Sequence, residues 1–266
     1  MSRLIPLMAF YGNLSTMINV KGKSPKHSPQ AGIRCDDCPI QNVCFPKELS
    51  HEELKDISAA SVKHRIVHQG EFLCHAGERF SSIYVVHSGF FKSIKRFYNG
   101  YEQIIGFQMN GDVIGLDGIA SNSFSSDVIA LETSEVCLID YSTIESDTTV
   151  KKLHRHFDKV FSREIIRLQN MTLLLGGMNA NQKIAAFLIN LSKRFEKLSY
   201  SPSEFYLRMT RVELASYLGL TNATISRTFT QFKNHGLIKT SGRKIIINDY
   251  EKLLSIILDN SLTQSF

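Results

Sequence analysis

No stretch of the 266 residues approaches the ~18 consecutive apolar positions that a membrane-crossing helix needs, so no helical span is expected. The opening segment, MSRLIPLMAFYGNLSTMINV, is apolar, but it has only Arg3 ahead of a broken apolar run and lacks a small-x-small cleavage site. Export is therefore not expected, and the chain reads as cytoplasmic. Cysteine is scarce and odd in number, five in all. That count argues against a disulfide scaffold and leaves reduced thiols for metal or redox work. Enzyme signatures are missing too: there is no P-loop, no dinucleotide fingerprint and no nucleophile elbow. The nine histidines, scattered through KHRIVHQGEFLCHAGE, LHRHFDK and elsewhere, keep no metal-ligand spacing tied to carboxylates. Catalysis is not expected.

What is present is uneven in charge. Residues 1–147 carry thirteen Lys and Arg against seventeen Asp and Glu, whereas residues 148–266 carry eighteen against eight. The overall +6 thus hides an acidic first part and a second part of net +10. Such asymmetry points the second part towards a polyanion, most often nucleic acid.

The length suits about two domains. Residues 1–33 contain KGKSPKHSPQAG, a segment without apolar period that reads as a flexible tail. Ser50 with Glu53 forms a capping-box helix start. Across residues 62–140, β-rich runs such as SIYVVH, FFKSIKRF, EQIIGFQM and SEVCLID are punctuated by glycines about every ten residues. This spacing predicts an antiparallel roll within residues 34–147. From about Ser142 the period turns helical, and Phe161, Ile165, Leu168, Thr172 and Leu175 recur at steps of 4, 3, 4 and 3, the a/d seam of a dimerising helix over residues 148–176. Gly176 and Gly177 are expected to end it. The fold class is α+β: a cupin-like antiparallel β-roll, a long helix, and a winged helix-turn-helix over residues 177–266.

That last assignment rests on TRVELASYLGLTNATISRTFTQFKNHGLI. Thr210 caps a first helix with Glu213 at its third position, Gly219 turns the chain, and Thr221 or Asn222 opens a second helix. Two β runs around Ser241-Gly242, with Arg243 and Lys244 beside them, read as a wing. The second helix begins with Thr221, Asn222, Thr224, Ser226 and Arg227 and carries Lys233 further on. Such side chains suit base edges and phosphates of double-stranded DNA and suit a buried surface poorly.

One stretch stays open on this reading. RCDDCPIQNVC packs Cys35, Cys38 and Cys44 into ten positions, and a metal held this way wants a fourth ligand. Structural zinc more often uses two short knuckle pairs, of which the chain has one.

The glycine-punctuated roll, the long helix and the LGLTNATISR helix-turn-helix resemble the cyclic-AMP receptor protein superfamily. The three clustered cysteines, together with Cys137 in ALETSEVCLID, resemble its oxygen-sensing FNR (fumarate and nitrate reduction) branch, from about Arg34 to Tyr250. The resemblance implies that Cys35, Cys38, Cys44 and Cys137 bind a [4Fe-4S] cluster, and four thiolates do satisfy such a cubane. It further implies a homodimeric transcription activator that contacts RNA polymerase, whose intact cluster favours the dimer on palindromic TTGAT-like DNA and whose loss in oxygen weakens it. The alternative is a zinc-bound or metal-free regulator of the same fold, acting constitutively or through a thiol switch. Cys74, in EFLCHAGE, has no place in the pattern and reads as a small buried hydrophobe.

Three departures stand out. Cyclic-nucleotide pockets grip the phosphate with an arginine after the G-E/D-x-x-G segment. Here no Arg or Lys occurs from Tyr98 through Val150, and Ser125, Ser126 and Asp127 occupy the region, so no cyclic nucleotide is expected. Oxygen-responsive relatives carry an acidic residue where this chain has Leu168. Family recognition helices carry an acidic residue where this chain has Ala223.

Overall fold

The computed structural model describes residues 35, 38–41, 43–44, 62–142 and 151–258. The expected tail, the Ser50–Glu53 helix start and the first residues of the long helix lie outside the described residues.

The β-rich runs form two four-stranded antiparallel sheets. Their strands are β1 (Val62–Val67), β2 (Phe72–Cys74), β3 (Ser82–Ser88), β4 (Phe90–Arg96), β5 (Glu102–Met109), β6 (Val113–Ile114), β7 (Asp127–Ala130) and β8 (Ser134–Asp140). One sheet has the order β1-β8-β3-β6, the other β2-β7-β4-β5. Neighbours in sequence thus often lie in different sheets, as a roll requires. Val67, Ile83, Val86, Phe91, Met109 and Val136 are fully buried and supply the core between them. A short helix, α1 (Gly118–Ser121), precedes β7. The shortest strands, β2, β6 and β7, carry too few residues for a period and were invisible to pattern reading.

The long helix, α2, spans Lys151–Gly177. Both glycines expected to end it are its last residues. The break falls just after them, where Asn179 adopts an extended backbone and makes a reciprocal capping box with Gln182, starting α3 (Ala180–Lys197).

The remaining elements are β9 (Glu204–Tyr206), α4 (Arg211–Leu218), α5 (Asn222–Asn234), β10 (Ile238–Ser241), β11 (Lys244–Ile247) and α6 (Tyr250–Leu258). Thr210 caps α4 with Glu213 reciprocally, and Gly219 ends it in the left-handed region at φ 61°, which a side chain would strain. The two expected wing strands pair in register, and β9 adds a third strand to give the order β10-β11-β9.

Contacts divide the chain into two compact units. Among the described residues, one holds the roll, α2 as far as Ile165, and Arg208–Gly219; the other holds Ile166–Leu207 and residues 220–258. Within the first, α4 is fastened to the roll: Lys92 Nζ lies 2.7 Å from Glu213 Oε1, the Ile104 N–H donates to Ser216 Oγ at 3.1 Å, and Phe107 meets Tyr217 edge-on at 5.0 Å. Within the second, Thr228 of α5 donates to Asn181 of α3 at 3.1 Å, and Phe195 of α3 stacks on Phe205 of β9.

Candidate thiol centre and nucleic-acid interface

The cysteine loop is a run of tight turns. Gln41 N–H donates to Cys38 O, and the Val43 and Cys44 N–H groups both donate to Ile40 O, at 2.9–3.1 Å. Ile40 and Cys44 are buried, and Cys35 and Cys38 are partly so. What lets the loop lie close to the roll is Gly111, in the turn between β5 and β6. Its φ is +87°, and a Cβ there would stand 2.8 Å from Val43 O. A side chain at residue 111 would push the loop away.

Cys137 lies mid-strand in β8, opposite His64 of β1 on one side and Val85 of β3 on the other. Burial pushes its thiol up, and the neighbouring Cys44, Cys38 and Cys35 thiols add to the rise, followed by Glu135. Each of the three loop thiols is thus within electrostatic reach of the strand thiol. Cys74 stands apart: burial raises it to about 12, with Asp117, Glu78 and Asp127 adding to the rise and Arg65 opposing it. All five are free thiols, and they divide four and one. Among the described residues no group of three or more His, Cys, Asp or Glu side chains is arranged to hold a single metal ion.

Beside Cys137 lies a polar cluster that the sequence did not reveal. Glu135 accepts from His64 Nδ1 at 2.8 Å through one carboxylate oxygen and from His87 Nδ1 at 3.2 Å through the other. The two rings meet edge-on, 5.8 Å between centroids, and His87 is only 3 % exposed. The three residues come from β1, β3 and β8, so only the strand register unites them.

Around Ser125–Asp127 polar groups are paired within the roll. Asp127 is buried, takes Arg96 Nη1 at 2.6 Å on Oδ2 and the Ala76 N–H at 2.9 Å on Oδ1. Ser125 turns its N–H and hydroxyl to Asp117. The arginine that reaches this region comes from β4, two residues ahead of the basic-free stretch, and is engaged by Asp127 and Glu102.

Thr221 caps α5, its hydroxyl accepting from Thr224 N–H. Asn222, Ser226, Arg227 and Lys233 are exposed, whereas Ile225, Thr228, Phe229 and Phe232 are buried, so one face packs and the other is offered to solvent. Arg227 Nη2 rests 3.5 Å from Thr224 Oγ1. Of the wing residues, Arg243 is exposed in the hairpin turn, while Lys244 is held by Glu204 at 2.5 Å and is less available. On α2 the expected seam is exposed: Ile165 (55 %), Leu168 (58 %), Thr172 and Leu175, with Phe161 half-buried. Thr172 satisfies its hydroxyl on Leu168 O, leaving its methyl for an apolar neighbour. Ile165, Leu168 and Leu175 thus form an exposed apolar row on one helix.

Residues 64–146 match the cyclic nucleotide-binding domain family, and residues 182–256 match the Crp-like helix-turn-helix domain family. The chain is 40% identical to electron transport regulator A of Shewanella oneidensis over 222 residues, 83% of this chain and 89% of that one. It is 37% identical to the fumarate and nitrate reduction regulatory protein of Escherichia coli K12 over 225 residues, 84% of this chain and 90% of that one. Among solved structures, FixK2 from Bradyrhizobium japonicum superposes with a TM-score of 0.67 at 26% identity, covering 73% of this chain and 96% of that one. A helix-turn-helix offering polar side chains, a roll of this topology and this level of identity agree: the chain belongs to the CRP/FNR family and is an FNR-type, DNA-binding transcription regulator, not an enzyme.

Proposed function

We propose that this regulator senses oxygen or redox state through a [4Fe-4S] cluster held by Cys35, Cys38, Cys44 and Cys137. We further propose that it works in the cytoplasm as a homodimer on palindromic DNA, with RNA polymerase as its partner. The observation that carries this reading is the four-and-one division of thiols, in which each of the three loop cysteines acts on Cys137 and none is among the influences on Cys74. The donor set fits: four thiols, none in a disulfide, from a short loop and a facing strand. A cubane offers a separate iron to each cysteine, so it does not require the tight convergence on one ion that is missing among the described residues. When bound, the cluster supplies an oxygen-labile redox centre. The residues couple it to the fold, because its ligands would come from the Cys35–Cys44 loop and from β8. Names of the relatives, for electron transport and for fumarate and nitrate reduction, suit such a role.

Anaerobic purification with iron and acid-labile sulfide assays tests the reading. Several irons and matching sulfide per chain are expected; a colourless protein with about one zinc and no sulfide would sink it and favour the zinc-bound alternative. Cyclic AMP is expected to leave the protein unchanged in calorimetry, since its phosphate would meet the buried Asp127 carboxylate.

The seam carries a second expectation. An acidic residue in a helix seam weakens a dimer, and this chain has Leu168 instead, 58 % exposed in the single chain. Burying a leucine contributes ~1.5–3 kcal/mol, enough to shift a marginal dimer by over tenfold. The cluster-free protein is therefore expected to dimerise at micromolar concentration in sedimentation, and Leu168→Asp to make it monomeric. A clean wild-type monomer would count against this role for Leu168.

A further inference from the structure

Resting on the cluster reading above, we propose that Glu135, clamped between His64 and His87, is a fixed negative charge that sets how readily the Cys137-ligated centre accepts an electron. The placement follows from strand geometry. Glu135 and Cys137 are two apart on β8, so their side chains share a face of the sheet. His64 stands directly across from Cys137 on β1, and its bond to Glu135 is therefore a cross-strand diagonal. On the other flank the pairing of β3 with β8 shifts register between Val86 and Ser88, and His87, at that irregularity, reaches the second carboxylate oxygen.

A carboxylate only accepts hydrogen bonds, so both rings must present Nδ1–H to it. Two donors on two oxygens hold the group against rotation and keep it from turning out to water. The carboxylate is a quarter exposed, and two residues along one face of β8 set it roughly 7 Å from Cys137. A charge that resists a thiolate also resists an added electron on the group those thiolates hold, because both place negative charge at one place. Neither histidine nor the carboxylate is needed to ligate; Glu135 is a positioning and tuning residue.

Two substitutions separate charge from shape. Glu135→Gln keeps the length and removes the charge, whereas Glu135→Asp keeps the charge and is one methylene shorter. Both are purified anaerobically with the wild type, assayed for iron and sulfide, and titrated redox-potentiometrically by visible absorbance and electron paramagnetic resonance. The Gln variant is expected to favour reduction three- to tenfold more than wild type, about 30–60 mV upward for one electron. The Asp variant is expected to stay within a factor of two of wild type. A Gln variant with full iron and sulfide and an unmoved potential would overturn the proposal. So would an Asp variant that moves as far as the Gln variant, since that pattern belongs to a purely structural brace. Should Gln fail to hold the centre, Glu135→Met, similar in length and uncharged, repeats the measurement; failure of both would make Glu135 a residue for assembly and refute tuning. A wild type without labile sulfide would refute the cluster reading and this proposal together, and it is seen before any variant is compared.

Discussion

Cys137→Ser is expected to leave a folded protein whose iron and acid-labile sulfide fall to background after anaerobic purification. Its affinity for operator DNA is expected to fall to that of the wild-type apoprotein. Of the two roll cysteines, Cys137 is the one whose thiol the loop cysteines influence, and in the proposed cluster a serine hydroxyl does not replace a thiolate as an iron ligand. Cys74→Ser gives the opposite pattern. Cys74 is buried in the roll, away from the other four, so iron and sulfide are expected to be unchanged. A hydroxyl placed there without a partner costs about 1–3 kcal/mol, and the midpoint of chemical unfolding is expected to drop accordingly. Metal analysis and urea unfolding on the same two samples check both halves. Retention of full iron by Cys137→Ser would remove it from the ligand set.

Arg227→Ala is expected to abolish discrimination at one G·C position of the half-site, while Lys233→Ala weakens binding about equally at all sequences. Arg227 stands exposed on α5 beside Ser226, and a bidentate arginine on guanine contributes about 1–3 kcal/mol of discrimination, roughly five- to a hundredfold. In the family run an acidic residue two places before the buried aliphatic braces this arginine and accepts from cytosine; here that place is Ala223. The nearest side-chain partner of Arg227 is instead Thr224, at a long 3.5 Å. The wild-type protein is therefore expected to select a related but relaxed half-site, with Ser226 on the thymine side and Asn222 reading adenine or a phosphate near the helix N-terminus. Selection from random DNA decides it. Recovery of the unmodified TTGAT-like palindrome, with an undiminished penalty at G·C, would show Ala223 to be neutral.

Long or repeated patterns were readable in the sequence because they carry their own period. β3, β4, β5 and β8, the long helix, and the two capped helices around Gly219 all announced themselves through spacing, caps and turns. Short strands did not: β6 has two residues and β9 three, and only their pairing partners make them strands. The same limit hid the polar half of the thiol centre. His64, His87 and Glu135 lie tens of residues apart in ordinary company, and three-strand register is what joins them. The role of Arg96 is hidden in the sequence for a related reason: it sits just outside the stretch that lacks basic residues, and the β4–β7 pairing carries it to Asp127.

Cys137 belongs to a strand that pairs with β1 on one side and β3 on the other, while its three companions sit in one short loop. In the proposed set of four, the fourth thiol comes from outside the loop. Roughly ninety residues separate Cys44 from Cys137, and closing a segment of that length is repaid only as the contacts of the two sheets form. The order of events in biogenesis follows. The chain must leave the ribosome as far as β8 and close its roll before four thiols can face one another. A chain that stops short of β8 lacks Cys137, so on the proposed ligand set a loaded centre would also certify a finished roll.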